Sequence, residues 1–198
     1  MTNDGVNEGR RRFLTAATSV VGAVGAVGVA VPFVGSWNPS AKAKAAGAPV
    51  RANVSKLEPG QMIVVEWRGK PVYIVRRTEE TLNSLGGMAD SLRDPESAEE
   101  KQQPAYAKNE YRSIKPEYLV LLGLCTHLGC APMYRPDVGA QDLGGSEWLG
   151  GFFCPCHGSK FDLAGRVFKG VPAPINLEVP PHSYESDAVI LVGVDQEA

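Results

Sequence analysis

Two short loops hold the residues of this chain that could do chemistry. The first reads C-T-H-L-G-C over residues 125–130, and the second reads C-P-C-H-G-S over residues 154–159. All four cysteines of the chain and two of its three histidines lie in these loops. Thiolate suits soft metals and imidazole suits Zn, Cu and Fe, so one Cys and one His from each loop indicate a metal site. The four candidate ligands are Cys125, His127, Cys154 and His157.

Three kinds of site are consistent with these side chains. A structural zinc site would use a tetrahedral Cys2His2 shell, but it would give no role to Cys130 and Cys156. A nucleophilic Cys paired with a His would need one cysteine and would leave the duplicated pattern unexplained. A two-iron cluster would place two Cys on one iron and two His on the other. We favour the cluster.

The two loops resemble those of the Rieske iron–sulfur subunit of the cytochrome bc1 complex. The resemblance extends to G-V-P-A-P at 170–174 and N-L-E-V-P at 176–180, which are similar to the proline-rich segment of that family. It implies one [2Fe–2S] cluster per chain, and it implies that Cys130 and Cys156 form a disulfide that pins the loops together. Rieske ferredoxins and ring-hydroxylating oxygenases usually lack this cysteine pair. The ligands implied are Cys125 and Cys154 on the buried iron and His127 and His157 on the outer iron.

The resemblance also implies roles for the side chains around the cluster. His157 would be the catalytic ligand, because it would hydrogen-bond the quinol and take its proton while the cluster takes the electron. Ser159 matches a serine that donates a hydrogen bond to a cluster sulfur, which would make it cofactor-binding. Leu128, Gly129 and Pro172 would form a docking collar around the histidines, with ordinary loop packing as the alternative.

The function implied is that of the electron-transfer subunit of a quinol–cytochrome c oxidoreductase, which contributes to proton translocation. Its partners would be cytochrome b, cytochrome c1, ubiquinol and the membrane, within a dimeric complex. The alternative is the small Rieske subunit of a periplasmic molybdenum oxidase such as arsenite oxidase. The proline-rich segment and the polar stretch 94–112 favour the bc1 complex. A net charge of −2 gives no reason to expect nucleic acid.

The N-terminal region predicts export and membrane anchoring. R-R-R-F-L at 10–14 resembles a twin-arginine signal, which exports folded proteins; a plain basic flank is the alternative. Residues 13–41 carry no charge, and about 20 apolar residues suffice to cross a bilayer. Small residues at 41–48 could imitate a cleavage site, but the apolar stretch exceeds the usual signal-peptide core. We therefore expect a single-pass protein of the bacterial inner membrane, with its cluster domain on the periplasmic side.

The segments are expected to follow one another in a simple order. A cytoplasmic N-terminus at 1–12 precedes a transmembrane anchor at 13–38, and a hinge linker at 39–49 leads to a Rieske domain at 50–198. Within that domain a cluster-binding subdomain is expected at about 120–173. The fold class is mainly β: an antiparallel sandwich or barrel with the cluster-binding subdomain inserted, plus one N-terminal transmembrane helix.

Local patterns predict the elements that position the two loops. Residues 62–67 and 71–76 read as a β-hairpin, and Thr78 to Leu92 reads as a helix capped by Thr78. Strands at 118–124 and 148–153 would run into the first and second ligand loops. Three further short strands are expected at 161–162, 166–168 and 188–194, and residues 94–112 are expected to form a loop or a short second helix.

The sequence also predicts whether three residues outside the loops are buried or exposed. Trp67 and Trp148 lie on predicted strands and are expected in the core. His182 lies in P-P-H-S, outside the ligand pattern, and is expected to be a surface histidine without a metal role.

Phe161 departs from the family pattern and leads to a prediction. It stands where many family members have a tyrosine whose hydroxyl donates a hydrogen bond to the cluster, and such bonds raise the reduction potential. The potential should therefore be lower here than in tyrosine-bearing relatives, and Phe161→Tyr should raise it. A redox titration of parent and variant measures the difference, and an unchanged midpoint would contradict the prediction.

Overall fold

A computed structural model of the chain describes residues 5–195. The chain forms two compact units, Met1–Ala45 and Ala46–Ala198, which are described separately below.

The N-terminal unit is built on one long helix, α1, over Glu8–Gly35. Its length and apolar composition are sufficient to cross a membrane, and its side chains are exposed along its whole length. The helix begins before the apolar stretch because the Asn7 side chain accepts a hydrogen bond from the Arg10 amide at 3.1 Å. Glu8 then lies in the first turn, where the helix dipole favours a negative charge.

A second helix, α2, spans Ala41–Ala46 inside the stretch expected to be a hinge linker. The Ser40 hydroxyl accepts a hydrogen bond from the Ala43 amide at 3.1 Å and so caps its first turn. Alanine has the highest helix propensity, so this composition forms a short helix as readily as an extended spacer.

The second unit is mainly antiparallel β-structure, as predicted, and the nine strands found up to residue 195 form three sheets. The strand orders are β1-β9-β8, β2-β3-β4 and β5-β6-β7. The strands are β1 Val50–Asn53, β2 Met62–Trp67, β3 Lys70–Arg76, β4 Tyr118–Leu122, β5 Met133–Arg135, β6 Gly151–Cys154, β7 Ser159–Phe161, β8 His182–Ser186 and β9 Val189–Val192.

The sheet β2-β3-β4 is buried on both faces. Successive side chains of a strand point to opposite faces, so Val72 and Ile74 of β3 enter a core shared with β1 and β9. Tyr73 and Val75 enter the other core, together with the third sheet and the loop cysteines Cys125 and Cys154. Burial on both sides explains why β4, with sequence YLVLL, reads as an uninterrupted apolar run.

The strands agree with most of the sequence predictions. The hairpin β2–β3 is confirmed, and β4 and β6 do run into the two ligand loops. β6 begins at Gly151 and not at Trp148, because Gly150 adopts a φ of +90° that interrupts an extended strand. Trp148 and Trp67 are both buried, as expected. The strands β1, β5 and β8 were not predicted.

The helix predicted at Thr78 to Leu92 is α-helical only in its first part. Helix α3 spans Glu79–Ser84, and Thr78 caps it by accepting the Thr81 amide at 3.1 Å, as predicted. The chain then tightens into a 3-10 helix over Leu85–Ser91. Glycines at 86 and 87 lower the α-helix propensity at this point. The predicted apolar stripe still enters the core, since Leu85, Met88 and Leu92 are buried.

Residues 94–112 contain only short turns of 3-10 helix, at Glu100–Gln102 and Ala105–Ala107, as expected of a loop. Their buried backbone carbonyls, and those of the turn after β7, lack strand partners and need donors. Arginines supply them: Arg77, Arg112 and Arg166 are each no more than 3% exposed.

Arg112 shows how these arginines act. Its guanidinium donates to the carbonyl oxygens of Ala164 at 3.0 Å and Leu177 at 2.8 Å, and to that of Gln102 at 3.2 Å. Burial lowers the pKa of Arg112 to about 10, so the side chain stays charged at neutral pH. The buried carboxylate of Asp162, which pairs with Arg166 at 2.7 Å, partly offsets the positive charge.

Replacing Arg112 tests this role. Arg112→Met keeps the apolar stem but leaves the carbonyl oxygens of Ala164 and Leu177 without a donor. We therefore expect a loss of about 3 kcal/mol in the free energy of unfolding. Arg93→Met is the matched control, because exposed Arg93 also donates to two carbonyls, those of Val171 and Pro174. The Arg93→Met variant should lose about 1 kcal/mol or less in the free energy of unfolding. Denaturant unfolding of the detergent-solubilised chain compares the two, and equal losses would contradict the interpretation.

Candidate metal centre

The two ligand loops close with the same hydrogen bond. The Gly129 amide donates to the Cys125 carbonyl at 2.8 Å, and the Gly158 amide donates to the Cys154 carbonyl at 3.0 Å. The two glycines adopt φ values of +79° and +77°, a conformation that strains residues with a side chain. Each loop is therefore a five-residue turn that starts at a cysteine and ends at a glycine.

Strand pairing fixes where each turn stands. The second loop is the connection of the hairpin β6–β7, in which Cys154 is paired with Ser159. The first loop follows β4, and the Cys125 amide donates to the Cys130 carbonyl at 2.7 Å to close it at its base.

The four cysteines divide into two kinds. Cys130 and Cys156 form a disulfide, as predicted, and this bond joins the first loop to the second. Cys125 and Cys154 are free thiols and are 3% and 2% exposed. The sulfur of Cys154 lies within 4.8 Å of both disulfide sulfurs, so the bridge and the free thiols share one small region.

The two loop histidines come together beside the thiols. Their rings stand edge to face, with centroids 4.7 Å apart. His157 is exposed and His127 is half-buried. The Nδ1 atom of His127 is buried and has no hydrogen-bond partner among residues 5–195. A buried ring nitrogen in that state is available as a metal ligand.

The electrostatics of the thiols fit bound iron. Burial raises the pKa of the Cys125 thiol, and the nearby Cys154 thiol raises it further. Hydrogen bonds from the His127 amide and the Ser159 hydroxyl act in the opposite direction. Two neighbouring buried thiolates therefore need a positive partner, which iron ions supply. With two thiols and two imidazoles, the donor set fits a [2Fe–2S] cluster of the Cys2His2 type.

The proline-rich segment ties the two loops to each other. The Thr126 hydroxyl of the first loop donates to the Ile175 carbonyl at 2.6 Å. The Ser159 hydroxyl, fully buried at the end of the second loop, accepts the Ala173 amide at 3.0 Å. The residues expected to form the docking collar are all exposed: Leu128, which is 72% exposed, Gly129 and Pro172.

The expectation that His182 lies on the surface is wrong. His182 begins β8, and it is fully buried. Its Nδ1 lies 2.9 Å from the Pro180 carbonyl oxygen, and its ring packs edge to face against Tyr106. The cause is its pairing with Val192 of β9, which turns the side chain into the interior.

Tyr73 was missed by sequence reasoning. Its hydroxyl is buried and donates to the Pro132 carbonyl at 3.0 Å, and its ring stacks on Phe152. A buried tyrosine needs a partner for its hydroxyl, so a Tyr inside the otherwise apolar run P-V-Y-I-V was the available signal.

Comparison with known proteins assigns the family. The model described as "Rieske [2Fe-2S] domain" matches residues 96–181, and the model described as "Ubiquitinol-cytochrome C reductase Fe-S subunit TAT signal" matches residues 1–40. The chain is 62% identical over 196 residues to the ubiquinol-cytochrome c reductase iron-sulfur subunit of Allochromatium vinosum. The aligned region covers 99% of this chain and 94% of that relative. The chain belongs to this family.

Further relatives extend the likeness. The Rieske subunit is 42% identical over 185 residues to the same subunit of Bradyrhizobium diazoefficiens, covering 93% of this chain and 94% of the relative. A solved structure described as "Hyperthermophilic respiratory Complex III" covers 89% of this chain and 98% of its own, with 26% identity and a TM-score of 0.49.

The family settles the main sequence predictions. The chain is the Rieske iron–sulfur subunit of ubiquinol–cytochrome c reductase, with a [2Fe–2S] cluster and an N-terminal twin-arginine signal. It is a subunit of the membrane-bound bc1 complex, as expected. The alternative, a subunit of a molybdenum oxidase, is not supported by these matches.

The buried His182 makes stability depend on pH in a defined direction. Burial lowers the pKa of His182 below its ordinary 6.5. As the pH falls below 6.5, the unfolded chain takes up this proton before the folded chain does, so stability falls until the folded-state pKa is passed. His182→Gln removes the proton site and should flatten this part of the profile. Unfolding of parent and variant between pH 7.5 and about 5 measures the difference, and parallel profiles would contradict the prediction.

Proposed function

We propose that Cys125 and Cys154 bind one iron of a single [2Fe–2S] cluster and that His127 and His157 bind the other. The observation that carries this proposal is the arrangement of the two loops. It brings two buried free thiols and two contacting imidazoles together beside the disulfide that joins the loops. The disulfide sulfurs of Cys130 and Cys156 are bonded to each other, which removes them as ligands.

The bound cluster supplies a one-electron acceptor of high potential, since two neutral imidazoles replace two thiolates. The exposed ring of His157 is placed to hydrogen-bond a quinol. The ring nitrogen of His157 that does not bind the iron would accept the proton of the quinol hydroxyl. His127 is half-buried and less open to a quinol. The Ser159 hydroxyl donates a hydrogen bond towards the Cys125 sulfur and so helps to position this ligand.

The partners proposed are cytochrome b, which provides the quinol site, and cytochrome c1, which receives the electron. The docking collar of Leu128, Gly129 and Pro172 is exposed around the histidines, and an exposed apolar surface of this kind favours protein docking. Its contacts would place His157 at the quinol in a dimeric complex.

The proposed location is the bacterial inner membrane, with one span and the cluster domain in the periplasm. The match of residues 1–40 to a twin-arginine signal supports export of a folded domain, and α1 supports the anchor at 13–38. Residues 39–49, which include α2, would be the hinge between the anchor and the Rieske domain at 50–198. The cluster-binding subdomain would be the part at 120–173 that carries both ligand loops.

Ligand variants test the proposed set. Cys125→Ser, Cys154→Ser, His127→Gln and His157→Gln should each abolish bound iron and acid-labile sulfide, because each removes one of the four ligands. The matched control is His182→Gln at pH 7.5, which changes the third histidine and should keep both. Iron retained in full by any of the four variants would contradict the assignment of that ligand.

The same purification tests the partners. The parent subunit should copurify with haem-bearing cytochromes b and c1. Copurification with a molybdenum subunit in place of these cytochromes would contradict the proposed partners.

A further inference from the structure

We infer that Tyr73 is a positioning residue that fixes the two ligand loops relative to each other. It lies on β3, which carries no proposed ligand, yet its side chain meets segments next to three of the four loop cysteines. The inference rests on the ligand set proposed above, because it concerns how those ligands are held.

The first contact is with the entry to the first loop. A Cβ added at Gly123 would overlap the Tyr73 ring, so the ring lies directly against the backbone two residues before Cys125. The Gly123 amide donates to the Pro71 carbonyl at 2.8 Å, which holds this backbone against β3. The glycine is therefore required here by the close approach of the ring.

The second contact is with the exit from the first loop. The Tyr73 hydroxyl donates to the Pro132 carbonyl at 3.0 Å, and the bond is buried. Pro132 stands two residues after Cys130, the first-loop half of the disulfide. The Tyr73 side chain thus contacts the backbone on both sides of the first loop.

The third contact is with the entry to the second loop. The Tyr73 ring stacks on Phe152 with centroids 6.1 Å apart and planes inclined by 21°. Phe152 lies on β6, two residues before Cys154. Tyr73 therefore touches the supports of both loops, and loss of its hydroxyl should loosen the first loop at Pro132 while its stacking on Phe152 remains.

The burial of the phenol agrees with this placement. Burial raises the pKa of Tyr73, and the Cys154 thiol nearby raises it further. The hydroxyl therefore stays protonated and remains a donor to Pro132 at neutral pH.

Tyr73→Phe tests the role, because it removes one hydroxyl and keeps the ring. We expect the Cys130–Cys156 disulfide to be reduced about five-fold faster by a phosphine reductant, as loss of one buried hydrogen bond lets the first loop open more often. We also expect broader lines in the low-temperature EPR spectrum of the reduced cluster, because its ligands would be held in a wider range of positions. Both are measured on the full subunit in its membrane complex.

Tyr134→Phe is the matched control. Its hydroxyl also donates to a backbone carbonyl, that of Gly60 at 2.9 Å, which lies outside both ligand loops. It should leave the reduction rate and the line width unchanged. Equal effects of the two variants, or no effect of Tyr73→Phe, would overturn the role of Tyr73. A parent without a Rieske-type EPR signal would instead overturn the ligand set, and the reduction rates would still decide for or against Tyr73.

Discussion

Burial of the sheet β2-β3-β4 on both faces is the constraint on which the rest of this structure depends. One face packs against the sheet that contains β1, β8 and β9, and the other supports the ligand loops. Because side chains alternate along β3, neighbouring residues serve different purposes. Val72 and Ile74 stabilise the first core, whereas Tyr73 reaches the segments around the cluster. A shift of one residue in the pairing of β3 would exchange these faces and remove the support of the site.

The site is otherwise made of irregular backbone, and such backbone needs donors and acceptors that a sheet would supply itself. Two kinds of side chain meet this need. The buried arginines donate to carbonyls of the segments around the turn after β7, and Thr126 and Ser159 bond to the proline-rich segment. The disulfide then joins the two loops covalently. The candidate ligands are therefore held by contacts with the surrounding domain as well as by the hydrogen bonds and the disulfide of the loops themselves.

The sequence predicted the parts of the molecule that depend on local pattern. The ligand loops were recognisable because their cysteines and histidines recur at fixed spacing, and the hairpin β2–β3 followed from apolar strands around a Gly turn. His182 was misjudged because P-P-H-S reads locally as an exposed turn. Its burial arises from pairing with Val192, which is distant in sequence. Arg112 lies in a polar stretch typical of surface loops, so nothing local signalled its burial. The 3-10 segment after α3 differs from an α-helix by a small local preference that tertiary packing decides.

We propose that four side chains hold a Rieske cluster and that His157 presents it to the quinol site of the complex. Low-temperature EPR on membranes that contain the complex, reduced with ascorbate, detects both the cluster and its contact with the quinol site. We expect a Rieske-type signal that changes shape when an inhibitor of the quinol site is added. A signal whose shape is unchanged by the inhibitor would contradict the contact between His157 and the quinol site. No signal even with dithionite, together with bound zinc, would contradict the cluster itself.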